Sequence, residues 1–135
     1  MVYTHRRKVM FKDCDPARIV FYPRYFEMLN DTVECFFDEV LGCPFEALHR
    51  GHAVPTARID TQFKAPSRLG DWLDITLRCT RLGRSALDLE FAAHCGEELR
   101  LTAVSTLVHV GPDGRPVPWT DALRKALEYQ VKGTD

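Results

Sequence analysis

Apolar residues recur with a helical period over residues 23–41 and with a strand period through much of residues 54–110. Phe26, Leu29, Val33, Phe36, Phe37 and Val40 fall at i, i+3, i+7, i+10, i+11 and i+14, one face of a helix. Glu27, Asn30, Asp31, Glu34 and Asp38 lie mostly on the other faces. Pro23 suits the first helical position, where its missing N–H would be unpaired anyway. Gly42 suits the stop. The pattern predicts a helix of about 19 residues, roughly 28 Å long at 1.5 Å per residue. A short helical piece is expected over Pro44 to Arg50.

The remainder reads as strands. Tyr3 to Phe11 is rich in β-branched and bulky residues and is expected to be the first. Val54 to Lys64 is the second. Leu73, Ile75, Leu77 and Cys79 alternate with Asp74, Thr76 and Arg78, which predicts a half-buried strand over Trp72 to Arg81. Leu87, Leu89, Phe91 and Ala93 alternate with Asp88, Glu90 and His94, giving a strand from about Ser85 to Cys95. Gly96-Glu97 suits a two-residue hairpin turn with glycine first. Arg100 to Val110 is the last strand, and Gly111-Pro112-Asp113-Gly114 is a turn. Asp121 to Val131 is a C-terminal helix. The order is strand, long helix, then an antiparallel meander. The simplest packing lays the helix across the concave face of a curved sheet, an α+β arrangement in one domain over residues 1–135.

Composition narrows the function classes. The chain has 135 residues, enough for a single core. Eighteen basic and 19 acidic side chains leave a net charge of −1, which gives no global reason to expect a nucleic acid or an anionic membrane as partner. No apolar run reaches the length of a membrane span, and no apolar signal core is visible in Met1 to Phe11, so a cytoplasmic location is the default expectation. The five cysteines are odd in number and form no C-x-x-C pair, which implies neither a disulfide framework nor a zinc site.

Chemistry concentrates in Asp13-Cys14-Asp15-Pro16-Ala17-Arg18-Ile19-Val20-Phe21-Tyr22-Pro23. This stretch sets a carboxylate seven residues before the mouth of the long helix. A carboxylate can attack an acyl carbon or draw a proton from water. A helix mouth offers unpaired N–H groups to developing negative charge. Asp15 is the leading candidate for the first part and the backbone N–H of Tyr22 for the second. Asp13 is read as structural, capping a turn. Cys14 stands between two acidic residues, which disfavour a thiolate, and is read as a buried structural thiol.

This stretch, with the aromatic-rich helix after it, resembles the opening of the 4-hydroxybenzoyl-CoA thioesterases. These are hotdog-fold acyl-CoA thioesterases related to the Tol-Pal-associated type. Gly83-Arg84-Ser85, Ala103-Val104-Ser105-Thr106 and Pro116-Val117-Pro118 continue the resemblance in the family's order. It implies a long helix wrapped by an antiparallel sheet. It also implies a homodimer joined sheet edge to sheet edge, often paired again into a homotetramer, with active sites at the dimer interface. Asp15 occupies the position of the family's catalytic carboxylate. The resemblance places the thioester carbonyl on the Tyr22 N–H. Arg84 and Ser85 are placed against the phosphates of coenzyme A, and Arg81 is near enough in sequence to join them. No metal or organic cofactor is implied.

Two departures bear on the substrate. Arg18 stands where the benzoyl-type motif usually has glycine; arginine would restrict the positive φ and close ligand approach that glycine permits, or would bring a cation near an acyl or phosphate group. Arg24-Tyr25-Phe26 lacks the usual Asn and His. Phe21, Tyr22 and Tyr25 are compatible with an aromatic or a short-to-medium acyl group. His49 and His52 precede the second strand, and that loop borders the acyl pocket in relatives. Metal binding by this pair lacks a completing second pair, and His94 and His109 carry no partner signal. A hotdog hydratase would resemble a D-x-N-P-x-H segment, which does not occur. The alternative from another class is a non-catalytic module that binds acyl-CoA or protein.

Overall fold

The structure is a computed structural model that describes residues 1–132. Strand β1 (Tyr3–Lys8) leads into a 3-10 turn (Phe11–Asp13), then helix α1 (Pro23–Glu39) and helix α2 (Phe45–Leu48). Strands β2 (Thr56–Phe63), β3 (Trp72–Leu82), β4 (Ala86–Cys95) and β5 (Glu98–Val108) follow, and helix α3 (Asp121–Lys132) closes the described chain. All neighbours in the single sheet are antiparallel, in the order β1-β3-β4-β5-β2. This is the α+β hotdog arrangement that the resemblance implied.

One part of the expected topology is corrected. The meander comprises only β3, β4 and β5. Strand β2 does not pair with β3 but lies beyond β5 at the far edge. Alternation assigns a strand's two faces and leaves its neighbours unspecified. The first strand is also shorter than expected, because residues 11–13 turn instead of continuing it.

The inner face of the sheet is built by the alternation seen in the sequence. Leu73, Ile75, Leu77 and Cys79 from β3, Leu87, Leu89, Phe91 and Ala93 from β4, and Leu101, Ala103 and Leu107 from β5 are all buried. Helix α1 returns Tyr25, Met28, Leu29, Val33, Phe36 and Phe37 to this core. Burying each such large side chain contributes about 1.5–3 kcal/mol. The helix's buried stripe is rotated from the expected one toward Tyr25, Met28 and Thr32, whose hydroxyl donates to the Met28 carbonyl at 2.8 Å. Phe26 is only partly covered and Val40 is exposed.

Both ends of α1 follow local chemistry. Gly42 takes φ 63°, and the Leu41 and Cys43 amides turn back onto the Phe36 and Phe37 carbonyls. At the other end Pro23 occupies the first turn, no side chain caps the helix, and the first turn holds no acidic residue. The positive end of the helix dipole is therefore not neutralised locally. Gly96 is at φ 58° while Glu97 is not in the left-handed region, as a type II′ turn between β4 and β5 requires. The edge strand β2 is exposed along nearly its whole length, including Ile59 and Phe63.

Candidate active site

Residues 13–22 form a narrow loop folded back on itself. Asp15 N–H donates to the Ile19 carbonyl (3.0 Å), Cys14 bridges to Val20, and Phe21 N–H donates to the Asp13 carbonyl (2.9 Å). Asp15 and Tyr22 thus lie on the two arms of one loop at the mouth of α1. Asp15 is partly exposed, and its Oδ1 accepts the Ala17 N–H at 2.8 Å, an Asx turn that leaves Oδ2 open. The Tyr22 N–H has no hydrogen-bond partner among the described residues, whereas the Phe21, Arg24 and Tyr25 N–H groups are all engaged. The free donor at the helix mouth is therefore the one expected from the sequence.

The neighbouring acid does different work. Asp13 is buried, and its carboxylate accepts the Met10 N–H at 2.8 Å and faces Arg7 at 3.4 Å. Arg7 also meets Asp31 of α1 at 3.0 Å, so this pair ties β1, the 3-10 turn and the helix together. Because the chain turns at residues 11–13, Asp13 and Asp15 have separate partners. Cys14 is only partly buried, not fully as expected, because it lies on an arm of the surface loop; its partial burial, reinforced by Asp13 and Asp15, pushes the thiol up, which disfavours a thiolate there.

Arg18 corrects an expectation. Its arginine was expected to restrict positive φ, yet it takes φ 65°, alone among the described non-glycine residues. Its N–H donates to the Asp15 carbonyl (2.9 Å) and its carbonyl accepts from Leu69 (3.0 Å), so bonds on both sides hold the left-handed turn. The loop keeps the conformation that glycine would allow, and the side chain carries the strain. Arg18→Gly is expected to raise stability by about 0.5–1 kcal/mol, since relief of strain outweighs the added freedom of the unfolded chain. Chemical unfolding reads this directly, and a loss of stability would contradict it.

A second loop, residues 66–71, braces the first. Val20 N–H donates to the Ser67 carbonyl (2.8 Å), and Asp71 Oδ2 accepts the Arg68 N–H (2.9 Å) and Arg100 Nη1 (2.7 Å). Arg100 Nη1 also reaches the Pro66 carbonyl at 3.1 Å. Burial alone would push the Asp71 carboxyl up, but the hydrogen bonds and charges of Arg100 and Arg68 outweigh it and hold the carboxyl below its usual range. A depressed folded-state value stabilises the protein above the unfolded carboxyl range near pH 4, and this is lost as pH falls through the folded value. Asp71→Asn is therefore expected to cost about 1–2 kcal/mol at pH 7 and progressively less in acid. Unfolding curves for both proteins at pH 7 and pH 3 check the sign; an equal deficit at both would refute it.

Arg84 and Ser85 lie elsewhere. Gly83 N–H donates to the Ala86 carbonyl (2.9 Å), closing the β3–β4 turn, and Arg84 is exposed with no side-chain partner among the described residues. Arg124 of α3 donates to the Gly83 and Arg84 carbonyls at 2.8 and 3.2 Å, so a second guanidinium joins the turn. Nothing in the local sequence around Arg124 signals this, since only the packing of α3 brings it there. Arg81 is exposed nearby. The Asp15 loop touches the start of β3, where Ile19 bridges to Arg68, whereas Arg84 follows its end. The 11 residues of β3 between them span roughly 35 Å at about 3.3 Å each. One protomer does not bring the two halves of the expected site together.

Aromatic rings surround the helix mouth. Tyr22 and Tyr25 lie 6.0 and 5.7 Å from Phe63 at the end of β2, and Phe21 packs 5.7 Å from Tyr22. Separately, a groove of about 200 Å³ lies between α1 and β2, lined by Phe26, Leu29, Val33, Ile59 and Leu107 among others; it includes none of these four rings. A larger depression, about 640 Å³, is on the outer face of the sheet among Asp60, Arg78 and Glu90 and touches neither Asp15 nor Tyr22. Size alone therefore does not locate the site. No group of three or more His, Cys, Asp or Glu positioned for a metal ion occurs among the described residues, and none of their helices is long and apolar enough to cross a membrane.

Comparisons with known proteins bear on the fold and the family. The chain is 24% identical over 129 residues to a 1,4-dihydroxy-2-naphthoyl-CoA hydrolase of Synechocystis, covering 90% of this chain and 94% of the relative. A crystal structure of a Synechocystis 1,4-dihydroxy-2-naphthoyl-CoA thioesterase superposes with a TM-score of 0.86 at 20% identity, over 94% of this chain and 96% of that one. A gentisyl-coenzyme A thioesterase superposes with a TM-score of 0.84 at 25% identity, over 93% and 99% of the two chains. The sequence pattern of the thioesterase-like superfamily matches residues 9–127, and the chain belongs to that superfamily.

Proposed function

We propose that this protein hydrolyses an acyl-CoA thioester to the free acid and coenzyme A. The observation that carries the reading is the pairing, in one loop, of the open Asp15 carboxylate with the unpartnered Tyr22 N–H at an uncapped helix mouth. The thioester carbonyl accepts the Tyr22 N–H, and the helix end stabilises the charge that builds on its oxygen. Asp15 either attacks the carbonyl carbon, expelling the CoA thiolate and leaving a mixed anhydride that water cleaves, or takes the proton from an attacking water. Both routes need the same oxyanion donor. The groove between α1 and β2 supports a compact acyl group, a single aromatic ring or a short-to-medium chain. The substrates named for the relatives make the aromatic choice the first to try.

Arg84 and Ser85, with Arg124 beside them, are proposed to hold the phosphates of coenzyme A. The distance along β3 supports a site shared by two copies. Phe63, at one end of β2, touches Tyr22, whereas the chain leading into the other end pairs Ala53 with Val110, close to His109 and Ser85. Antiparallel pairing of two exposed β2 edges is the two-fold solution, and it sets the Ser85 end of one copy beside the Asp15 end of the other. A panel of aromatic and aliphatic acyl-CoA thioesters assayed for released thiol tests the reading. Hydrolysis of at least one is expected, and no hydrolysis of any would favour a non-catalytic acyl-CoA-binding module.

A further inference from the structure

Arg18 is a cation of the Asp15 loop that the fold does not use. Its backbone takes φ 65°, which glycine adopts without strain and which no other described non-glycine residue shares. The chain therefore keeps a strain here that glycine would remove. No structural bond of the side chain offsets it. The Arg18 guanidinium is exposed and makes no hydrogen bond or ion pair among the described residues. Arg7 and Arg100, which brace the same loop, are committed instead, the first to Asp13 and Asp31 and the second to Asp71.

The position of Arg18 says what it can reach. Its N–H donates to the Asp15 carbonyl at 2.9 Å, closing a four-residue turn that has Asp15 at its other end. The ends of such a turn lie within about 7 Å of one another. The guanidinium is thus tethered, on a flexible stem, beside the carboxylate proposed to act on the thioester. The phosphates of coenzyme A are far from that bond, so a negative group within reach of Arg18 belongs to the acyl part. The acids of this region differ in what they have left to offer. Asp13 is held by Arg7 and Asp71 by Arg100, whereas one oxygen of Asp15 is open. An acyl group carrying its own carboxylate is repelled by Asp15, and a cation three residues away offsets that repulsion.

We propose that Arg18 determines specificity at this site by recognising a negatively charged substituent on the acyl group, as in the coenzyme A monothioester of a dicarboxylic acid. The inference rests on the acyl-CoA reading above and narrows its substrate class. A guanidinium pairs with a carboxylate through two parallel hydrogen bonds, a geometry glycine cannot supply. Backbone strain held at a ligand-binding position, where a less strained residue would be more stable, is the usual mark of a side chain kept for function.

The test uses the whole protein and two thioethers that cannot be hydrolysed, S-carboxypropyl-CoA and S-butyl-CoA. They match in length and differ in the terminal charge. Calorimetry gives the Kd of each. Wild type is expected to bind the carboxylate about ten-fold more tightly, as one charge-assisted pair implies, and the preference should shrink at high salt. Arg18→Gly and Arg18→Gln should both lose it, whereas Arg18→Lys, which keeps the charge, should retain most of it. Arg18→Gly should lose the preference while gaining stability, a combination that a merely structural arginine does not give. Equal affinities in wild type, or a preference that survives Arg18→Gly, would overturn the proposal. So would an equal weakening of both thioethers in Arg18→Gly, which would place the side chain on the coenzyme. Binding is read here without turnover. A wild-type protein that shows the preference but hydrolyses no thioester would sink the hydrolase reading and leave the role of Arg18 standing.

Discussion

Asp15→Asn is expected to lower kcat for acyl-CoA hydrolysis by about 10²–10⁴, the contribution typical of a positioned base or nucleophile. The fold should be nearly untouched. Asparagine keeps the oxygen that accepts the Ala17 N–H, so the turn from Asp15 to Arg18 retains its side-chain anchor. What is lost is the negative charge and the free oxygen, which serve chemistry alone in this reading. KM should change little, because the Tyr22 N–H still receives the carbonyl and the coenzyme A contacts lie elsewhere. Steady-state kinetics beside a thermal melt separates the outcomes. Full activity in this variant would remove Asp15 from the mechanism. A large drop in melting temperature would instead place it with Asp13, whose buried carboxylate holds a turn and meets Arg7.

The separation of those two acids was legible in the local pattern, and sequence reading reached its limit at tertiary pairing. The helix after Pro23 and the alternation of β3 and β4 were legible because a period fixes which residues share a face. The free Tyr22 N–H was legible for the same local reason: proline follows it and no capping side chain stands nearby. What depended on tertiary pairing was not legible. Strand β2 joins β5 across the sheet, and nothing in residues 56–63 specifies that neighbour. Arg18 looked like an obstacle to a glycine-like turn, but bonds from Asp15 and Leu69 hold it at positive φ. His52, His109 and Trp119 are scattered along the sequence, and only the folded chain stacks them. Likewise Arg124 reaches the β3–β4 turn through the packing of a helix 40 residues away in sequence.

That same separation of parts yields the most demanding expectation for the site. Arg84→Ala alone should raise KM for acyl-CoA with a smaller effect on kcat, because phosphate contacts lie far from the reacting bond. If Asp15 of one copy works with Arg84 of the other, each variant homodimer carries the same defect in both of its sites. A hybrid of one Asp15→Asn chain and one Arg84→Ala chain differs. One of its sites then holds both defects, and the other combines the unaltered Asp15 with the unaltered Arg84. Random mixing of equal amounts makes about half the dimers hybrid, so about a quarter of wild-type activity should return at low substrate. The Asp15→Asn parent contributes almost nothing there, and the Arg84→Ala parent little, because its KM is raised. Activity that stays at the mean of the two parents, after subunit exchange has been verified with a tagged chain, would mean that each site is built within one protomer. It would then have to bridge the length of β3, roughly 35 Å, between the Asp15 loop and the Arg84 turn. The exposed β2 edge and the position of Phe63 beside Tyr22 favour the shared arrangement.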